Sequence, residues 1–89
     1  MNEVELISLA NDHYSQEQVA LLQKAVDYAT EKHHGQTRKS GEPYITHPLQ
    51  VAATLIDWGM DIDSIVAGVL HDTVEDTDAT LEEIVELFG

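Results

Sequence analysis

Apolar positions recur along this chain at helical spacing, with no strand-like alternation. Residues 2 to 11 read as a short helix. From Ser15 the pattern sharpens: Val19, Leu22, Val26 and Ala29 fall three or four residues apart, the period that lines one face of an α-helix. Ser15 and Gln18 form an S-x-x-Q capping box, so this helix is predicted from about Gln16 to His33, stopped by Gly35. Leu49, Ala52, Ala53 and Ile56 line the next helix. Pro48 suits its first turn, which puts His47 at or near the N-cap, and Gly59 ends it. A further helix opens near Asp61 and turns Ile62, Ile65, Val66, Val69 and Leu70 inward. Val74, four residues after Leu70, extends the stripe through Asp76. Thr80 and Glu83 make a second capping box ahead of Ile84, Val85, Leu87 and Phe88. The fold class is all-α, a bundle of about five helices.

Between the second and third helices runs "GQTRKSGEPYITH", residues 35 to 47. Two glycines, a proline and no period make it a loop. It is long for a small helical domain, and long ordered loops are often functional.

Composition narrows what the bundle can do. With 89 residues the chain makes one small domain, burying only roughly 60 to 65% of the surface its unfolded form exposes. Seventeen acidic residues against four basic give a net charge of −13, which repels nucleic acid and anionic membranes. All four basic residues, Lys24, Lys32, Arg38 and Lys39, precede residue 40. An anionic ligand must therefore use that stretch or a bound cation. The absence of cysteine fits a reducing compartment. No apolar stretch reaches the ~18 residues of a membrane span, and the acidic N-terminus is unlike a signal peptide. The expectation is a soluble, unprocessed, cytoplasmic chain.

The candidate chemistry lies at "VLHDTVEDT", residues 69 to 77. Glu75 lies four residues after His71 and Asp76 four after Asp72, so one helix face presents an imidazole and three carboxylates. Like charges at that spacing are destabilising, and acid near a helix C-terminus opposes the dipole; a cation relieves both. An acidic helix face is more often simply solvated, yet this grouping favours a metal site. His47 supplies a second imidazole. Such a mixed nitrogen and oxygen set suits Mn²⁺, Fe²⁺ or Zn²⁺. A metal there would lower the pKa of bound water and draw phosphate oxygens, with Glu75 and Asp76 placed to accept or relay the proton. In the glycine-flanked loop, the flat guanidinium of Arg38 can lie on a purine ring, and Lys39 offers a point charge for phosphate.

"GQTRKSGEPYITHPLQVA" followed by "AGVLHDTVEDT" resembles the N-terminal hydrolase region of the RelA/SpoT-homolog family, enzymes of the stringent-response alarmones (p)ppGpp. The match runs from about Val19 to Gly89 and rests on R-K-S-G-E-P-Y, I-T-H-P and H-D-x-x-E-D in that order. General HD-domain phosphohydrolases share only His71 and Asp72, with a separate upstream histidine. The resemblance implies an HD-type helical bundle and hydrolysis of the 3′-pyrophosphate of (p)ppGpp to GDP or GTP and pyrophosphate. It implies His47, His71 and Asp72 as ligands of a single Mn²⁺, and Glu75 and Asp76 as the acidic pair that activates or orients water. It also implies that Arg38 stacks on guanine, Lys39 meets the anionic groups and Ser40 adds a hydrogen bond. Family hydrolase domains extend past this chain and add a further aspartate to the metal. Residues 1 to 89 are therefore expected to be the N-terminal part of such a domain, incomplete and without the synthetase and regulatory domains.

Other residues receive plainer readings. His33 and His34 are read as capping a helix end, His13 as surface, Trp58 as the edge of the core and Tyr44 as packing the loop. The alternative to an enzyme segment is a non-catalytic helical fragment that self-associates, as a homodimer, through the uncovered apolar face of the last helix.

Overall fold

The computed structural model describes residues 1–88 and consists of five helices: α1 (Glu3–Asn11), α2 (Gln16–Lys32), α3 (Thr46–Asp57), α4 (Ile62–Asp76) and α5 (Leu81–Phe88). Among the described residues the one β feature is an isolated bridge between Thr37 and Pro43. Local signals set the boundaries. The Ser15 hydroxyl accepts from Gln18 N at 3.2 Å while Gln18 Oε1 accepts from Ser15 N at 2.9 Å, so two of the unpaired donors at the start of α2 are satisfied reciprocally. Asn2 and Asp61 cap α1 and α4 by accepting from Glu5 N and Ser64 N. Gly59, at φ 75°, turns the chain out of α3 in a conformation that a side chain would strain.

α4 is the central element. It packs against both α2 and α3, and α1 covers the other side of that pair. Leu6, Leu22, Val26, Ile65 and Val69 are fully buried or nearly so, which is what the stripes on α2 and α4 require. α3 approaches α4 closely enough that the Leu55 side chain passes over Gly68; a Cβ there would meet Leu55 Cδ1 at 3.4 Å.

α5 is attached differently. None of its residues is buried, and Leu81 and Val85 stand exposed. It is held to α2 by Lys32, 3.6 Å from Asp78 and 3.4 Å from Glu83. The Tyr28 hydroxyl donates to Glu83 at 3.1 Å, and the Phe88 ring meets Tyr28 edge-on and lies under the Lys24 ammonium. An apolar cavity of about 690 Å³ separates α5 from α2 and α4, lined by Leu21, Val66, Leu70, Val74, Leu81 and Ile84 among others.

One expectation, for Trp58, needs correction. His47 lies near the N-cap, as expected: α3 begins at Thr46 with Ile45 as its N-cap and no side-chain cap bond. The turn from Pro43, in which Thr46 N donates to Pro43 O and His47 N to Tyr44 O, already supplies those bonds, which leaves the His47 imidazole free for another role. Trp58 is 72% exposed and stands outside the core, because it follows the last turn of α3 where the chain bends at Gly59. His33 closes α2 as its C-cap residue, as expected; its side chain is only 2% exposed and stacks against Tyr44.

Candidate metal centre and nucleotide pocket

His71, Asp72 and Glu75 each offer a ligand atom, all within 4.8 Å of one another. α4 supplies all three, because positions three and four apart share a face of a helix. His71 Nδ1 stands 3.8 Å from Glu75 Oε2. From α3, His47 Nε2 reaches to 3.8 Å from Asp72 Oδ2. These are distances a bridging cation or water can close, too long for direct hydrogen bonds. The His71 side chain is 71% exposed and open to ligands from solution. Two imidazoles with carboxylates form a borderline donor set that fits Mn²⁺, Fe²⁺ or Zn²⁺.

The fourth polar residue of the motif faces elsewhere. Asp76 Oδ2 accepts from the Tyr44 hydroxyl at 2.6 Å, so Glu75 groups with His71 and Asp72, whereas Asp76 groups with the loop. Tyr44 stacks on His33, ring centroids 4.9 Å apart, and meets His47 edge-on at 6.1 Å. Its phenol is raised above the ordinary value, first because its proton is held by Asp76, then by burial and by the negative charges of Asp76 and Asp72.

Beneath Tyr44 the polar groups are paired in sequence. Gln36 Nε2 donates to Asp76 O at 2.9 Å, which orients the amide so that Gln36 Oε1 faces His33 Nδ1 at 3.1 Å. That nitrogen therefore carries the proton, a tautomer assigned from its partners. The single Thr73 hydroxyl proton goes to Val69 O at 3.0 Å, and His33 Nε2 lies 3.4 Å from Thr73 Oγ1. Two carbonyls of the last turn of α4 are thus met, Asp76 O by Gln36 and Thr73 O by Thr77, which donates both its N–H and its hydroxyl. Among the described residues no buried side-chain polar atom lacks a partner.

The loop is ordered by its own backbone. Arg38 N donates to Glu42 O and Gly41 N to Arg38 O, both at 2.8 Å, and Gly41 takes φ 90° to close the turn. Arg38, Lys39 and Ser40, with Thr37 and Tyr44, line an open cavity of about 520 Å³. The three loop residues singled out from sequence share one wall, and Tyr44 joins that wall to Asp76. Sequence reasoning missed the contribution of His33 and Gln36. Neither follows a periodic signal, and both acquire their contacts only when the loop folds back on α4.

A family model described as an HD domain matches residues 25–89. The chain belongs to the HD-domain family. This HD-domain chain is similar to a guanosine-3′,5′-bis(diphosphate) 3′-pyrophosphohydrolase of Aquifex aeolicus, 56% identical over 77 residues, which cover 86% of the chain and 11% of that protein. A protein of the same name from Spiroplasma citri is 56% identical over 68 residues, 76% of the chain and 9% of the relative. The GTP pyrophosphokinase rsh of Brucella melitensis is 47% identical over 89 residues, all of the chain and 12% of the relative. The RelA/SpoT-homolog resemblance and the five-helix, HD-type all-α fold are both borne out. The chain spans about a tenth of the length of these curated relatives. Among the described residues no helix is long and apolar enough to cross a membrane.

Proposed function

We propose that this HD-domain segment carries the hydrolase site for (p)ppGpp: metal-dependent removal of the 3′-pyrophosphate, giving GDP or GTP and pyrophosphate. The observation that carries the reading is the convergence of His71, Asp72 and Glu75 within 4.8 Å, with His47 3.8 Å from Asp72 and 6.1 Å, ring to ring, from Tyr44, which lines a cavity with Arg38, Lys39 and Ser40. The names of the relatives from A. aeolicus and S. citri support the substrate.

In this reading His47, His71 and Asp72 hold one Mn²⁺, which when bound supplies Lewis acidity toward phosphate and water. Arg38 lies flat on the guanine, a role for which its planar, permanently charged group is suited, and Lys39 neutralises phosphate oxygens. Ser40 donates a hydrogen bond from the same turn. Glu75 and Asp76 orient the attacking water and take its proton, while the bond from phosphorus to the ribose 3′ oxygen breaks and that oxygen regains a proton. The net charge of −13 makes the single basic turn the place where a polyanionic nucleotide is accepted. Residues 1 to 89 in this reading are the N-terminal part of the hydrolase domain, working in the cytoplasm.

The test is pyrophosphate release from ppGpp with Mn²⁺, measured on the chain itself and on a polypeptide continued past Gly89 with the sequence that follows in the A. aeolicus relative. Activity of the continued form that is abolished by His71→Ala is the expected result; no release, or release unchanged by His71→Ala, sinks the reading.

A second reading is favoured by the exposed Leu81 and Val85 on α5 and the apolar cavity beside it: the isolated chain pairs with a second copy through this face. Sedimentation decides it, a monomer with a cooperative melt counting against it.

A further inference from the structure

We propose that Tyr44 is a positioning residue for Asp76, and that it couples the filling of the nucleotide pocket to the orientation of that carboxylate. The inference rests on the hydrolase reading above and deepens it. Three observations meet at this side chain. Its hydroxyl holds Asp76 Oδ2 at 2.6 Å. Its ring lies on His33, which is 2% exposed and anchored at Nδ1 by Gln36. Its remaining surface lines the cavity formed by Thr37, Arg38, Lys39 and Ser40. One rigid aromatic thus touches the pocket wall, a buried platform and a carboxylate of the acidic pair.

A lone aspartate at the end of a helix samples several rotamers, and acid at that end is disfavoured by the dipole. The Tyr44 hydroxyl selects one rotamer by donating to Asp76 Oδ2. Gln36 fixes the backbone beneath it by donating to Asp76 O at 2.9 Å. Glu75, 60% exposed, faces His71 instead, so the two acids of the motif are held by different partners. A base pinned to the pocket wall keeps its bearing toward a substrate seated there, whereas a free one loses effective concentration. Tyr44 does this without touching the reacting atoms.

Tyr44→Phe separates the roles, because it keeps the ring on His33 and removes only the hydroxyl. In the 89-residue chain, three-bond couplings of the Asp76 side chain are expected to report one χ1 rotamer, averaged in Tyr44→Phe. An averaged rotamer in the parent chain, or an unchanged one in the variant, overturns the proposal. In the continued form that hydrolyses ppGpp, Tyr44→Phe is expected to lower kcat about tenfold, the scale of losing an orienting partner, with KM within about twofold. In an Asp76→Asn background the same change is expected to cost nothing further. Wild-type kcat in Tyr44→Phe, or an equal loss in both backgrounds, overturns it. If the parent form releases no pyrophosphate the hydrolase reading fails, and the rotamer measurement alone decides whether Tyr44 positions Asp76.

Discussion

His47 Nε2 and Asp72 Oδ2 face each other at 3.8 Å across the contact between α3 and α4. A cation held by both residues would tie α3 to α4. Mn²⁺ is therefore expected to raise the melting temperature. At a concentration 100-fold above its dissociation constant a ligand stabilises by about 2.7 kcal/mol, which for a domain of this size is a shift on the order of 10 °C. Thermal melts with and without Mn²⁺ check this, and His47→Ala should reduce the shift by weakening the hold from α3.

Tyr44 and Tyr28 are both expected to ionise above the ordinary phenol value of about 10. For Tyr44 the leading cause is the hydrogen bond to Asp76, and for Tyr28 it is burial, followed by the hydrogen bond to Glu83. A folded pKa above the unfolded one means that the fold favours the protonated phenol. The stability from these groups is thus fully present below about pH 10 and lost as pH rises through their folded values. Tyrosinate absorbance against pH measures both, and Asp76→Asn should bring one of the three tyrosines, Tyr44, back toward the ordinary value.

Gly68→Ala is expected to stabilise the chain by about 0.5–1 kcal/mol. Glycine inside a helix costs about that much relative to alanine, and the added Cβ meets only the flexible tip of Leu55 at 3.4 Å. The denaturant midpoint should rise with the slope unchanged. A fall would mean that the approach of α3 to α4 is tighter than this contact allows.

Much of the bundle was legible because its signals are local. The capping box at Ser15 and Gln18, the stripe from Ile62 to Val74 and the stop at Gly59 each rest on neighbours within four residues. The same locality explains the grouping of His71, Asp72 and Glu75, which share one helix face. What lay hidden depends on contacts between distant segments. His33 is the cap its position suggests, but the Tyr44 ring that the loop brings over it has no local signal. Trp58 is expected at the edge of the core, but just beyond α3 it is 72% exposed. Tyr44 was read as packing the loop, which it does, while the hydroxyl reaches Asp76, 32 residues away. No periodicity encodes that partner.

Arg38→Ala should act on substrate binding rather than on chemistry. Arg38 lines the pocket wall with Lys39 and Ser40, remote in sequence from the acids of α4. In the form that hydrolyses ppGpp, KM is expected to rise about tenfold with kcat changed much less, the pattern of a lost interaction made equally in ground and transition states. A steady-state analysis separates the two parameters. Arg38→Lys should not restore KM, because an ammonium cannot stack as a guanidinium does.

His47, His71 and Asp72 are proposed to hold one metal ion, which titration calorimetry of Mn²⁺ into the 89-residue chain tests. The expected result is saturable binding of one ion per chain, abolished by His71→Ala and Asp72→Asn and weakened by His47→Ala. Absence of binding, or the same affinity in His71→Ala as in the parent, would contradict it.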